Sequence, residues 1–452
     1  MKLYPKKLLS IFFNRRKLFC FLLTIVVTFF FGKVFELPAN SQVLSPQQLG
    51  EIIEETEISW EQEYEAYFNT DFTNYAKTKS QIAEQLAQFS QETETKPAVI
   101  WTVPTEKELY LLLITPDREP IIKTVREANS NLLFKITNIL YETINSSLSI
   151  NSTTYLPPAK LLYKWLITPL EAELKAENID TLMMCSGPGL RSFPFAMLHD
   201  GEQFLIEKYA LVRLPAFNLT DINYDKLNRD RLKMLAMGIS EFSNRPSLPG
   251  VETEVSLITP QLIPGKAILN RDSTVKNLKL QHQQGKYNLI HLATHAEFNP
   301  GSAKNSYIEF ADSKLSLDKV QQLNLDNPPV DLLVLSACQT AVGDKQAEFG
   351  FAGLFLEVGA KSILASLWDI NDLGTTILMS EFYQNLKSNS LKVKALQQTQ
   401  IAMLKGKISF PKGQLRNSQE KISRLQNILD DELINVSHPF YWAGFTLIGN
   451  PW

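Results

Sequence analysis

Two apolar runs constrain this chain more than any other feature. The first passes from Leu289 through Ile290, His291, Leu292, Ala293 and Thr294 into His295. The second passes from Leu332 through Leu333, Val334, Leu335, Ser336 and Ala337 into Cys338. Runs this short and this apolar read as strands covered on both faces, as parallel sheets require. The same signal recurs at 99–103, 109–115, 181–185, 210–214, 231–238, 362–367 and 442–448. Between the runs lie stretches that fit helices, at 120–142, 158–168, 251–258, 351–358 and 375–386. Strands alternating with helices predict an α/β fold, a mainly parallel sheet flanked by helices. A short helical segment precedes it, with helices over 46–68 and 73–92; Ile82, Leu86 and Phe89 form the apolar stripe of the second. Residues 412–436 are polar and charged and read as an inserted helix and loop.

Residues 1–41 form a distinct leader. Lys2, Lys6, Lys7, Arg15, Arg16 and Lys17 precede a 14-residue apolar run from Leu18 to Phe31, with small residues at Ala39 and Ser41. A spanning helix needs about 20 apolar residues, so the run suits a cleaved signal peptide better than an anchor. The alternative is an uncleaved anchor, with membrane association through residues 18–36. Both place 42–452 outside the cytoplasm, in a periplasm, a lumen or the extracellular space. Residues 1–41 carry a net charge of +6, which leaves 38 Lys/Arg against 47 Asp/Glu in the remainder, a net −9. A body of that sign repels a phosphate backbone, so nucleic acid is not an expected partner. Domain expectations are therefore 1–41 as leader, 42–95 as helical segment and 96–452 as the α/β domain.

The chemistry concentrates where the two apolar runs end. Ligands of an open α/β sheet sit beyond the carboxyl ends of its strands, so parallel neighbours would bring His295 and Cys338 to one edge. An imidazole beside a thiol takes its proton and leaves a thiolate able to attack a carbonyl. The bland account is a packed Cys338 and a structural His295. His291 precedes His295 by four positions and by strict alternation points the same way; it is either a satisfied core histidine or a support that orients His295. His199, His282 and His438 read as surface or packing residues. Cys185 also ends an apolar run; it and Cys338 are expected to be too far apart or differently facing for a disulfide, with Cys338 kept as a thiol. No metal or other cofactor is expected: no Cys-x-x-Cys is present and no phosphate-binding glycine pattern occurs in its strand–loop–helix context.

Several motifs together resemble the CHAT domain, a caspase-like member of the cysteine peptidase group that includes caspases and separases. They are Gly189-Leu190-Arg191-Ser192-Phe193-Pro194-Phe195-Ala196-Met197-Leu198; Leu248-Pro249-Gly250 with Glu252 and Glu254; the strand from His291 to His295; Leu335-Ser336-Ala337-Cys338-Gln339-Thr340; Ser366-Leu367-Trp368 with Asp372; and His438-Pro439-Phe440-Tyr441-Trp442-Ala443-Gly444-Phe445. The resemblance covers roughly residues 155–452. It implies a cysteine endopeptidase in which His295 is the general base, Cys338 the nucleophile, and the backbone at Ala296 and Cys338 the oxyanion site, acting on a protein or peptide substrate under a regulatory protein partner. The rival is a catalytically inactive interaction or scaffold module; an acyltransferase using the same dyad is a third option. Ala296 departs from the glycine usual after the histidine, which matters if that position needs a left-handed backbone. Asp369, Asp372, Asp344 and Glu348 are the acids near the two strand ends, and a substrate residue that is basic or apolar is favoured over an acidic one. A zymogen step would cut in 340–349 or 412–436.

Overall fold

The computed structural model describes residues 45–72, 77–146, 152–224, 227–340, 350–351, 353–354, 357–368, 372–389, 391–408 and 436–452. The chain divides into a unit ending at Ile52 and a second from Ile53 to Trp452; apart from residues 46–52 at the start of one helix, all that follows concerns the second. The leader, the 412–435 stretch, Asp344, Glu348 and Asp369 lie outside the described residues. Among the described residues, no helix is long and apolar enough to cross a membrane.

Thirteen strands join in one sheet: β1 (Pro97–Pro104), β2 (Leu109–Ile114), β3 (Ile121–Val125), β4 (Thr181–Ser186), β5 (Ala210–Leu214), β6 (Met234–Gly238), β7 (Gly265–Leu269), β8 (Leu289–Phe298), β9 (Tyr307–Glu309), β10 (Lys314–Ser316), β11 (Leu332–Thr340), β12 (Ser362–Ser366) and β13 (Phe445–Gly449). The order is β10-β9-β8-β11-β12-β13-β5-β4-β1-β2-β3, with β6 and β7 joined to β8 off this path. β7, β6, β8, β11 and β12 run parallel. β13 then reverses against β12, and β5, β4 and β1 run parallel to it. The sheet is thus mainly parallel but made of two opposed halves. β4, β6 and β12 are buried at every residue, as strands covered on both faces must be.

The helices that matter below are α1 (Pro46–Phe68), α2 (Lys79–Thr93), α3 (Ser130–Asn145), α4 (Leu156–Leu166), α5 (Val251–Leu257), α6 (Val275–Gly285), α7 (Asp372–Ser388) and α8 (Lys392–Leu404). Glu57 of α1 is fully buried, and its carboxylate accepts from Trp101 Nε1 at 2.5 Å and from the backbone N–H of Phe217 and Asn218 at 3.0 and 2.8 Å. Burial pushes its carboxyl above the usual range, against the pull of those donors. α5 packs on α7 and against β6 and β8. Gly238, the last residue of β6, has no room for a side chain: a Cβ there would lie 2.5 Å from Val251 Cγ1 of α5.

Two expectations need correction, and the placement of the two cysteines is settled by the topology. The stretch 120–142 is not one helix: 121–125 is the edge strand β3, paired antiparallel with β2, and α3 begins only after Asn129, whose side chain caps the Leu132 N–H at 3.0 Å. β-branched Ile121, Ile122, Thr124 and Val125 favour the strand. The helix foreseen at 73–92 starts at Lys79, fixed by a capping box between Thr78 and Gln81. Cys185 and Cys338 do not share an edge, because β4 and β11 belong to the opposed halves.

Candidate active site

β8 and β11 lie side by side and parallel, so the two apolar runs are neighbours, as their sequence suggests. They run in step from Leu289 opposite Leu332 to Ala293 opposite Ser336. The next registered pair is Ala296 with Cys338, so β8 carries one residue more than β11 across this step. Thr294 and His295 together face the position of Ala337. A bulge of this kind bends its strand and re-aims side chains. It is held by Thr294 Oγ1, which donates to Glu309 O of β9 at 2.8 Å.

The bulge separates the two histidines of β8. His291 lies before it and is wholly buried. Its Nδ1 is 3.0 Å from Tyr383 Oη of α7, and its Nε2 is 2.9 Å from Glu254 Oε1 of α5. The second approach is close but does not have the geometry of a formed hydrogen bond. Ser336 Oγ donates to the same Glu254 oxygen at 2.7 Å. One buried carboxylate therefore touches both strands, four residues before His295 and two before Cys338. Burial drives the Tyr383 phenol well above its usual range, and the Glu254 carboxylate adds to that, so Tyr383 stays neutral.

His295 lies after Thr294, is only partly buried, and meets none of these groups. Its ring sits 4.6 Å from that of Phe242, and its Nε2 is 3.1 Å from the carbonyl oxygen of Pro246. Both belong to the loop after β6. A carbonyl oxygen only accepts, so Nε2 is the donor of this bond. The alternation that would align His291 with His295 fails because of the bulge. Sequence reasoning also missed Pro246 and Phe242. A carbonyl oxygen has no residue-type signature, and Phe242 lies in a polar loop without periodicity.

Ala296 is a strand residue registered with both Cys338 and Ile308, and its backbone is not left-handed. The methyl group at this position therefore carries no conformational strain. Asp372 is the first residue of α7. His199, His282 and His438 are buried packing residues. Cys185 is a buried free thiol, and desolvation raises its pKa well above the usual value.

A parallel sheet with a histidine strand beside a cysteine strand is the architecture of caspase-like domains. The CHAT domain family model matches residues 156–450, and the chain belongs to that family. It is 21% identical over 429 aligned residues to human (Homo sapiens) Tetratricopeptide repeat protein 28, covering 80% of this chain and 16% of that protein. The mouse (Mus musculus) protein of the same name is 22% identical over 362 residues, covering 65% and 13%. The chain thus spans about a sixth of these relatives or less. Among solved structures it is similar to the Saccharomyces cerevisiae separase–securin complex at 3.0 Å, with TM-score 0.53 and 11% identity over 91% of this chain and 34% of that one. At that identity the likeness concerns the fold: a caspase-like α/β domain preceded by helices.

Proposed function

We propose that the chain is a cysteine endopeptidase using His295 and Cys338. The observation that carries this is the bulge, which lifts His295 out of the buried alternation of β8 and sets it against Pro246 O, next to the register position of Cys338. In the proposed reaction the Cys338 thiol gives its proton to His295, and the thiolate sulfur bonds to the peptide carbonyl carbon. The carbonyl π pair moves onto oxygen, where backbone N–H groups at Ala296 and Cys338 are the proposed donors. As the intermediate collapses, the C–N bond breaks and His295 passes the proton to the leaving amine. Water, deprotonated by His295, then cleaves the thioester and regenerates the thiol. The Pro246 carbonyl supports the transient imidazolium through its hydrogen bond.

The substrate we propose is a protein or peptide. The separase of the similar structure is held in a complex with securin; a protein partner is correspondingly proposed here. The basic, apolar leader supports action outside the cytoplasm.

The test is alkylation and cleavage on the full chain. Iodoacetamide labels Cys338 at least tenfold faster than Cys185, whose raised pKa makes it an internal control. A peptide library is cleaved by the wild type and not by Cys338→Ser. Equal labelling of the two thiols, or cleavage that survives the substitution, overturns the proposal and favours the inactive module.

A further inference from the structure

The loop that carries Pro246 is exposed along most of its length: Glu241, Ser243, Asn244, Pro246 and Ser247 all face solvent. Its base is closed by Leu248 N–H donating to Ser240 O at 2.8 Å, with Ser240 N–H held by Asn270 Oδ1 at 2.9 Å. At the tip the half-buried Arg245 is different. Its guanidinium pairs with Glu297 of β8, lies with Nε 2.9 Å from Glu309 Oε2 of β9, and donates to Tyr307 Oη while stacking 5.6 Å from that ring's centre. The Glu309 contact is off the N–H line, so the directed bonds are those to Glu297 and Tyr307. Lys314 Nζ, 3.0 Å from Tyr307 Oη and 4.2 Å from the ring centre, holds the tyrosine from the other side. Glu297 is two residues beyond His295, and Arg245 immediately precedes Pro246. The Glu297 hydrogen bond raises Arg245 above its usual value. Burial opposes ionisation of Glu297, but its bonds to Arg245, Tyr307 and Asn299 prevail and hold it below the usual carboxylate range.

We infer that Arg245 is a positioning residue for His295: it clasps the loop tip to β8 and β9 and so holds the Pro246 carbonyl on the imidazole. The Arg245 and Glu297 side chains are only 21% and 22% exposed, so the pair also contributes to global stability. Fixing one acceptor within a few tenths of an ångström of its partner is another matter, since a misplacement near 1 Å can cost about a hundredfold in rate. The planar fork of arginine reaches two acceptors at once, and the point charge of lysine does not.

The inference rests on the His295–Cys338 proposal, and the test separates the two. Arg245→Ala, Arg245→Lys, and the swap Arg245→Glu with Glu297→Arg are made in the full chain. Each is assayed for peptide cleavage and for Cys338 alkylation by iodoacetamide. Arg245→Ala lowers kcat and the alkylation rate by roughly tenfold to a hundredfold with KM within about threefold. Its melting temperature falls by about 2–4 °C, and both assays are run well below it. Arg245→Lys falls between the two, and the swap recovers part of the loss. Rapid alkylation in the wild type that Arg245→Ala leaves unchanged overturns the clasp alone, as does loss of activity in step with melting temperature. Absence of selective Cys338 labelling in the wild type removes the dyad, and the clasp with it.

Discussion

His291 and His295 sit four residues apart on one strand and live in different surroundings. His291 is sealed between Glu254 and Tyr383 with no exposed surface. His295 stands at the rim with an aromatic ring on one side and a backbone carbonyl at its Nε2. Residue type and strand are the same, so the difference comes from the one extra residue between them. Before the bulge a polar side chain is enclosed by protein groups; after it, a side chain reaches the rim.

The sharpest way to break the contrast is to exchange the effects. His295→Ala is expected to lower kcat/KM on a cleaved peptide by on the order of a thousandfold or more, with the urea midpoint unchanged. His291→Ala is expected to do the reverse. It leaves the buried Glu254 side chain and the Tyr383 hydroxyl without the imidazole they face, which costs about 1–3 kcal/mol, while kcat of the molecules that stay folded remains within tenfold. Urea unfolding and single-turnover cleavage on the same samples decide. Large losses of both kinds from both substitutions would mean that the histidines do not divide the work.

A smaller effect is expected from Ser336→Ala, which removes one of the two contacts to the Glu254 oxygen. Its cost is about 1 kcal/mol in unfolding free energy, and alkylation of Cys338 slows less than threefold. A larger loss in alkylation than in stability would show that the buried cluster reaches into the chemistry.

Least in size is the pH response of the fold. Burial lowers the pKa of His282, and that of His438, from the ordinary value of 6.5. A histidine whose folded pKa is depressed binds its proton more readily when unfolded. Its contribution is intact above the unfolded pKa near 6.5 and is lost as pH falls through the window between the unfolded and folded values. The urea midpoint is therefore expected to drop between pH 7 and pH 5, with His282→Gln flattening that slope. An unchanged slope in His282→Gln would assign the acid sensitivity to other groups.

Much of this was legible in the residues, and the rest was hidden for identifiable reasons. The runs ending at His295 and Cys338 read as buried strands from their length and apolarity, but which strands are neighbours is set by the topology and not by either run. The bulge is not legible: it is a relation between two strands, and period two in β8 taken alone predicts the opposite orientation. Glu254 did leave a signal. It sits among Val251, Val255 and Leu257 on the buried side of α5, where an acid needs a partner. The 121–125 stretch failed because Ile121, Ile122 and Val125 also satisfy a helical spacing, and pairing with β2 decided it. The reversal at β13 left no local trace, since an antiparallel strand buried on both faces has the same composition as a parallel one.

That reversal has a practical consequence for anyone labelling the molecule. β4 stands four strands from β11, roughly 19 Å across the sheet at the usual spacing. The carboxyl ends of the two strands also leave by opposite edges. An electrophile or oxidant that enters over the edge of Cys338 approaches from the side away from Cys185. Cys185, buried and with its thiol pKa raised by desolvation, is a slow handle whose labelling clocks the opening of the core; under the proposed dyad, Cys338 is the fast one.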